Sequence, residues 1–148
     1  GKKMTTAEFT LLAAGLFFMN GLLTGVWKYV SIMKTDKARA PYYVDVSHRA
    51  SLMYAFAAIL IREFIPYSPV GETLTFWLVA GQLLFFASAI VTYMVHGFLK
   101  DTNNQLKRPH VLGKRHLPTM LIRVYMWFLV AAEIGGFAVL LYGLIISL

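Results

Sequence analysis

An all-α fold, an integral membrane bundle of four antiparallel transmembrane helices, is predicted by three features of this sequence. The chain is 58% hydrophobic and only 14% charged, far from the roughly quarter-charged composition of a soluble domain. Its charges collect in two short stretches, residues 28–49 and 100–123, with long uncharged runs around them. Four apolar runs result, and helices of about 20 to 27 residues each use up nearly the whole chain. One four-helix domain fills residues 1–148, leaving no room for a soluble catalytic domain.

The first helix is predicted over residues 6–33, because 9–27 carries no charge and Trp27 with Tyr29 supplies an interfacial aromatic anchor. Lys28 is expected to snorkel outward. This run is too long for a signal-peptide core and no A-x-A cleavage pattern follows it, so it reads as a retained helix. A basic loop, 34–41, leads to a second helix over 43–64. The uncharged stretch 50–61 is too short to span alone, which draws Asp45, Ser47, His48 and Arg49 into the membrane. Pro66, Pro69 and Gly71 make the turn to a third helix over 73–99, and a polar loop from Lys100 to Arg115 ends it. The fourth helix, 118–148, starts at a proline suited to a first turn and is interrupted by one charge, Glu133. Gly21, Gly25, Gly135, Gly136 and Gly143 are expected to give smooth faces for close helix packing.

The first and third loops with their flanks carry eleven Lys and Arg, against three for the N-terminus and second loop. The positive-inside rule then puts those two loops in the cytoplasm, with a bacterial inner membrane as the expected location. The basic residues flank apolar spans, so the net charge of +7 reads as topology and not as nucleic-acid binding. Cysteine is absent, which excludes disulfides, thiolate metal sites and iron–sulfur clusters and leaves His, Tyr, Asp, Glu or Met to hold any cofactor.

The start of the second helix and the end of the third lie at one membrane face, making Asp45, His48, Arg49, Tyr93 and His96 neighbours in depth. At 1.5 Å per residue His48 sits about 8 Å, and Tyr93 about 9 Å, inside that face. Asn20 and Glu133 come from the same side, somewhat deeper, and Gln82 is the main polar residue of the opposite leaflet. Such groups are costly in hydrocarbon and must pair or bind something. Asp45 can pair with Arg49 at i,i+4 and can orient His48 at i,i+3. His48 is either a metal ligand or a ring bonded to a carbonyl or a tyrosine. His96, nearer the headgroups, has the same two readings, and His110 and His116 are expected to be solvated. If His48 ligates a haem iron, Tyr93 or His96 can sit across from it, while Arg49, Lys28 and Arg123 lie where propionates would emerge. Glu133 reads as a protonated carboxyl bonding across helices or as a member of a proton relay.

This pattern resembles styrene oxide isomerase, a small four-helix membrane enzyme that binds haem b and converts an aryl epoxide to an aldehyde. The segment Val46-Ser47-His48-Arg49-Ala50-Ser51-Leu52 occupies the place of the family's axial histidine, and Tyr93, 45 residues after His48, that of its substrate-facing tyrosine. Tyr54 stands where the family has the asparagine that helps hold the epoxide, and the first loop is short and basic instead of long and acidic. The resemblance implies a haem b-binding isomerase, with His48 as ligand, Tyr93 and Tyr54 at a small hydrophobic substrate, and a trimer with haem between protomers. Two other readings are a b-type cytochrome with His48 and His96 as axial ligands, and a cofactor-free accessory or transport-like subunit built around Asp45, Arg49 and Glu133.

Overall fold

A computed structural model describes residues 2–148, and it is a bundle of four long helices. Helix α1 spans Thr6–Met33, α2 Tyr42–Phe64 and α3 Glu72–Leu99. The fourth helix is continuous but has three parts: α4, Thr119–Val130; a π-helical turn, Ala131–Gly135; and α5, Gly136–Ser147. Each of the four is long and apolar enough to cross a membrane, and the bilayer explains the fold class. Every backbone polar group in hydrocarbon must be satisfied within its own segment, which a helix does.

Helix boundaries fall within about one residue of the apolar pattern, and the caps explain why. Thr5 accepts the Glu8 N–H while the Glu8 carboxylate takes the Thr5 N–H, a reciprocal capping box that starts α1. Pro41 precedes α2, and a 3-10 turn, Ile65–Tyr67, carries that helix into the Pro66 to Gly71 turn. At the end of α3, Lys100 adopts φ 54°, a left-handed cap that reverses the chain. The fourth-helix interruption was not predicted. A π turn inserts a residue without breaking the apolar run, so it leaves no trace in the periodicity.

The third loop also differs from a plain polar connection. His110–Leu112 and Arg115–Leu117 form a two-stranded antiparallel hairpin, β1 and β2, pairing Leu112 with Arg115. Gly113 opens its two-residue loop with φ 61°, a conformation glycine adopts without a Cβ clash.

Packing concentrates polar side chains at one end, as the sequence predicts, although Thr10, Thr75 and Gln82 are buried at the other. That other end holds an apolar core of Ala14, Ala58, Ile61, Val79, Leu83, Phe86 and Leu140. At the polar end Asn20 Nδ2 donates to Ser51 Oγ at 2.9 Å, and Ser47, Ser51 and Thr24 turn their hydroxyls onto helix carbonyls. Glycines set the closest approaches. A Cβ on Gly21 would meet Leu52, on Gly25 the His48 ring, on Gly97 the α2 backbone at Val44, and on Gly136 the Gln82 amide. Gly135 is the exception among the predicted packing glycines, with nothing within 4 Å of a Cβ placed there. Helix α4 contributes no buried residue, so the first half of the fourth helix stands off from the bundle.

Candidate functional site

His48 lies in the second turn of α2, where its ring faces α1. Its Nδ1 donates to the Gly21 carbonyl at 2.7 Å, and a Cβ on Gly25 would come within 2.9 Å of Cε1. Glycine at both positions is what lets the imidazole lie against the helix. A carbonyl only accepts, so Nδ1 carries a proton, and in the neutral form of the ring the lone pair is the one on Nε2. Among the described residues Nε2 makes no hydrogen bond, and it is not one of the atoms sealed without a partner in the interior.

Asp45 does not orient this ring, contrary to the i,i+3 expectation. Its Oδ1 takes Lys28 Nζ at 2.6 Å, and its Oδ2 takes Arg49 Nε at 3.0 Å and Nη2 at 2.8 Å. The predicted Asp45–Arg49 pair is present. Two cations hold the carboxylate more strongly than a neutral imidazole does. Lys28 therefore turns inward to Asp45 instead of snorkelling away. Arg49 remains 64% exposed, and Arg123 stands exposed on α4 without an ion pair among the described residues.

The tyrosines occupy another face. Tyr93 stacks on Tyr43 with ring centroids 5.7 Å apart, and Tyr54 stacks on Phe86 at 4.4 Å. At 100° per residue, Tyr43 and Tyr54 fall within about 20° of each other around α2, and His48 lies about 120° or more away. The Tyr125 hydroxyl meets Ser88 Oγ at 2.5 Å, and its ring packs on Phe85 with centroids 5.7 Å apart. Glu133 sits in the π turn with Oε1 buried and unpaired among the described residues. The cross-helix hydrogen bond expected of its carboxyl is not made by that oxygen.

His96 is buried at 3% exposure, and its Nδ1 donates to Asp101 Oδ1 at 2.6 Å. Asp101 Oδ2 accepts the Gly113 N–H at 2.6 Å, tying the hairpin to the end of α3. Asp101, to which the sequence reading gave no role within the third loop, is thus the partner that holds the buried His96 ring. Its signal is faint: a lone carboxylate five residues after a histidine, brought back by the left-handed Lys100. His110 also departs from expectation, being 5% exposed with Nδ1 on the Gln105 carbonyl at 3.3 Å, because the hairpin folds over it. His116 is exposed as predicted.

Burial raises the Asp101 carboxyl, but the Gly113 N–H and the His96 ring outweigh it and hold the group below its ordinary value. A carboxyl lowered in the folded state contributes stability that is complete above its unfolded value of about 3.9 and is lost as pH falls through the lower folded value. Thermal melts between pH 6 and 3 should therefore show Asp101→Asn falling less steeply with acid than the native chain. Parallel curves would remove Asp101 from the account.

Among the described residues no three His, Cys, Asp or Glu side chains gather as a metal site. A metal held at His48 has to bring most of its own ligands, as a porphyrin does. No family model, curated protein or solved structure matches this chain.

Proposed function

We propose that this integral membrane protein binds haem b through His48 and acts, like the styrene oxide isomerase family it resembles, on a small hydrophobic substrate. The observation that carries the reading is the locked tautomer: Nδ1–H on the Gly21 carbonyl and an unpartnered Nε2. A backbone carbonyl behind the ring is the arrangement that fixes and strengthens a metal-binding imidazole. Lys28, Asp45 and Arg49 form a cluster with one net positive charge, suited to a propionate. Ferric haem, when bound, supplies a Lewis acid for a substrate oxygen.

Among the described residues His48 would be the one imidazole per chain to hold the iron, which favours an enzyme over an electron carrier. His96 is engaged by Asp101, and its ring packs at 5.6 Å against Tyr43, on the tyrosine side of α2. In this reading Tyr93 and Tyr54, which lie on that same tyrosine side of their own chain, would meet the substrate only across the interface with a second copy, where the resemblance puts the haem. On α1, beside the Gly21–Gly25 track on which His48 lies, Leu22, Val26 and Tyr29 are each about half exposed or more. That apolar collar suits a second copy closing over a macrocycle, so the active particle is a homo-oligomer, a trimer by the resemblance.

The purified protein, loaded with haemin in mild detergent, tests this. Light scattering with absorbance detection should give a trimer-sized particle with a high-spin ferric spectrum, and Tyr93→Phe should keep that spectrum while losing turnover of an aryl epoxide. A sharp low-spin spectrum points to the two-histidine cytochrome, and a protein that takes up no haem sinks both.

We infer sidedness from the eleven-to-three charge bias, by which the first and third loops would face the cytoplasm; a bacterial inner membrane is the location proposed with it. Single cysteines replacing the exposed Asn103 and Glu72 should label from opposite sides of intact cells, Glu72 from outside. Equal labelling by an impermeant reagent would reject that topology.

A further inference from the structure

Because α4 stands off from α3, a cavity of about 420 Å³ opens between these helices and the hairpin. Its walls are mainly apolar, with Val95, Leu112 and Leu121 among them, and its polar residues are His96, Gln105, Thr92 and Tyr125. Two of these four are spoken for: Thr92 Oγ1 donates to the Ser88 carbonyl at 2.7 Å, and the Tyr125 hydroxyl pairs with Ser88. The other two are not. His96 gives its Nδ1–H to Asp101, which leaves Nε2 as an acceptor without a partner among the described residues. Gln105 Oε1 is buried and has no partner among them either.

A cavity with apolar walls, an unused acceptor on His96 and an unused amide on Gln105 that offers both an acceptor and N–H donors selects a ligand by exclusion of charge. A carboxylate would be buried with no Lys or Arg among the lining residues. An ammonium would find no free anion, since both Asp101 oxygens are already bonded, to His96 and to Gly113, and burying an unpaired charge is costly. A neutral donor on an apolar body satisfies both halves. The volume lies within the range of small-molecule sites, roughly 300 to 1,000 Å³. Val95 and Leu121, 37% and 56% exposed, form part of its wall on the outer surface of the helices, so entry is lateral, from the lipid.

We propose that this cavity is a second ligand site, separate from His48, which binds a neutral, lipid-soluble alcohol or phenol through its O–H to His96 Nε2. Asp101 is then a positioning residue that fixes the His96 tautomer, and the hairpin is the roof of the site.

The test uses 4-hexylphenol and its methyl ether, 4-hexylanisole, titrated into the protein in detergent, with affinities corrected for partition into the micelle. The phenol should bind the native chain about ten-fold more tightly than the ether, the effect of one buried hydrogen bond to an otherwise unsatisfied acceptor. His96→Phe should erase that preference. Leu121→Trp, which fills the cavity and leaves the His96–Asp101 pair alone, should weaken both probes at least about ten-fold, and it carries the test if His96→Phe does not fold. Equal binding of the two probes to the native chain would mean that the cavity holds only an acyl chain. Native-like phenol binding by Leu121→Trp would place the ligand elsewhere, and either result overturns the proposal.

Discussion

Gly143→Ala should be the most destabilising single methyl addition in the bundle. Gly143 lies on α5 directly against the Tyr67 carbonyl and Pro69 of the turn between α2 and α3, where a Cβ would overlap both. The obstacle is backbone and a proline ring, neither of which can swing aside as a long side chain does. The fourth helix depends on this contact, since its buried residues, Gly136, Leu140 and Gly143, all belong to α5. Overpacking a tight contact costs about 1 to 3 kcal/mol, and this one belongs at the upper end, about 3 kcal/mol. Gly15→Ala is the matched control, because nothing lies within 4 Å of a Cβ there. It should leave stability unchanged or raise it by up to about 1 kcal/mol through helix propensity. Thermal or denaturant unfolding in detergent measures both. If Gly143→Ala melts with the native protein, the docking of α5 on that turn is wrong.

The spans were legible because the bilayer imposes a length and an apolar composition that few other structures share. The one-sided polarity was legible for the same reason, since His48, Asn20 and Asp45 have no cheap place in hydrocarbon except inside the bundle. The hairpin was not. Residues 107–116 carry six Lys, Arg and His side chains, which hide the short alternation of two three-residue strands. The contact that fixes them, Asp101 to the Gly113 N–H, is tertiary. The π turn at Glu133 was equally silent.

At the candidate site, helical spacing found partners but not preferences. It paired Asp45 with Arg49 correctly and brought Asp45 within reach of His48 as well. The choice between them was made by Lys28, which arrives from another helix. Spacing along α2 and α3 gave the depth of His48 and Tyr93 but not their facing, which depends on the rotation of each helix in the bundle. The glycines carried that information indirectly: Gly21 and Gly25, four apart on α1, mark the flat track on which the His48 ring lies.

The central claim is that His48 is the iron ligand, and removing that one ring tests it most directly. Haem-loaded native protein and His48→Ala are compared for bound haem per chain, with far-ultraviolet circular dichroism to show that both are folded. The variant loses the only imidazole held on a backbone carbonyl against α1 and keeps the Lys28–Asp45–Arg49 cluster. Haem content should fall at least about ten-fold, since even an outer-shell partner of a metal ligand is worth about 10- to 100-fold in affinity and His48 would be the ligand itself. Added imidazole should restore part of the native spectrum by taking the vacated place beside Gly25. A folded His48→Ala protein that retains a full complement of haem with an unchanged spectrum would contradict the account.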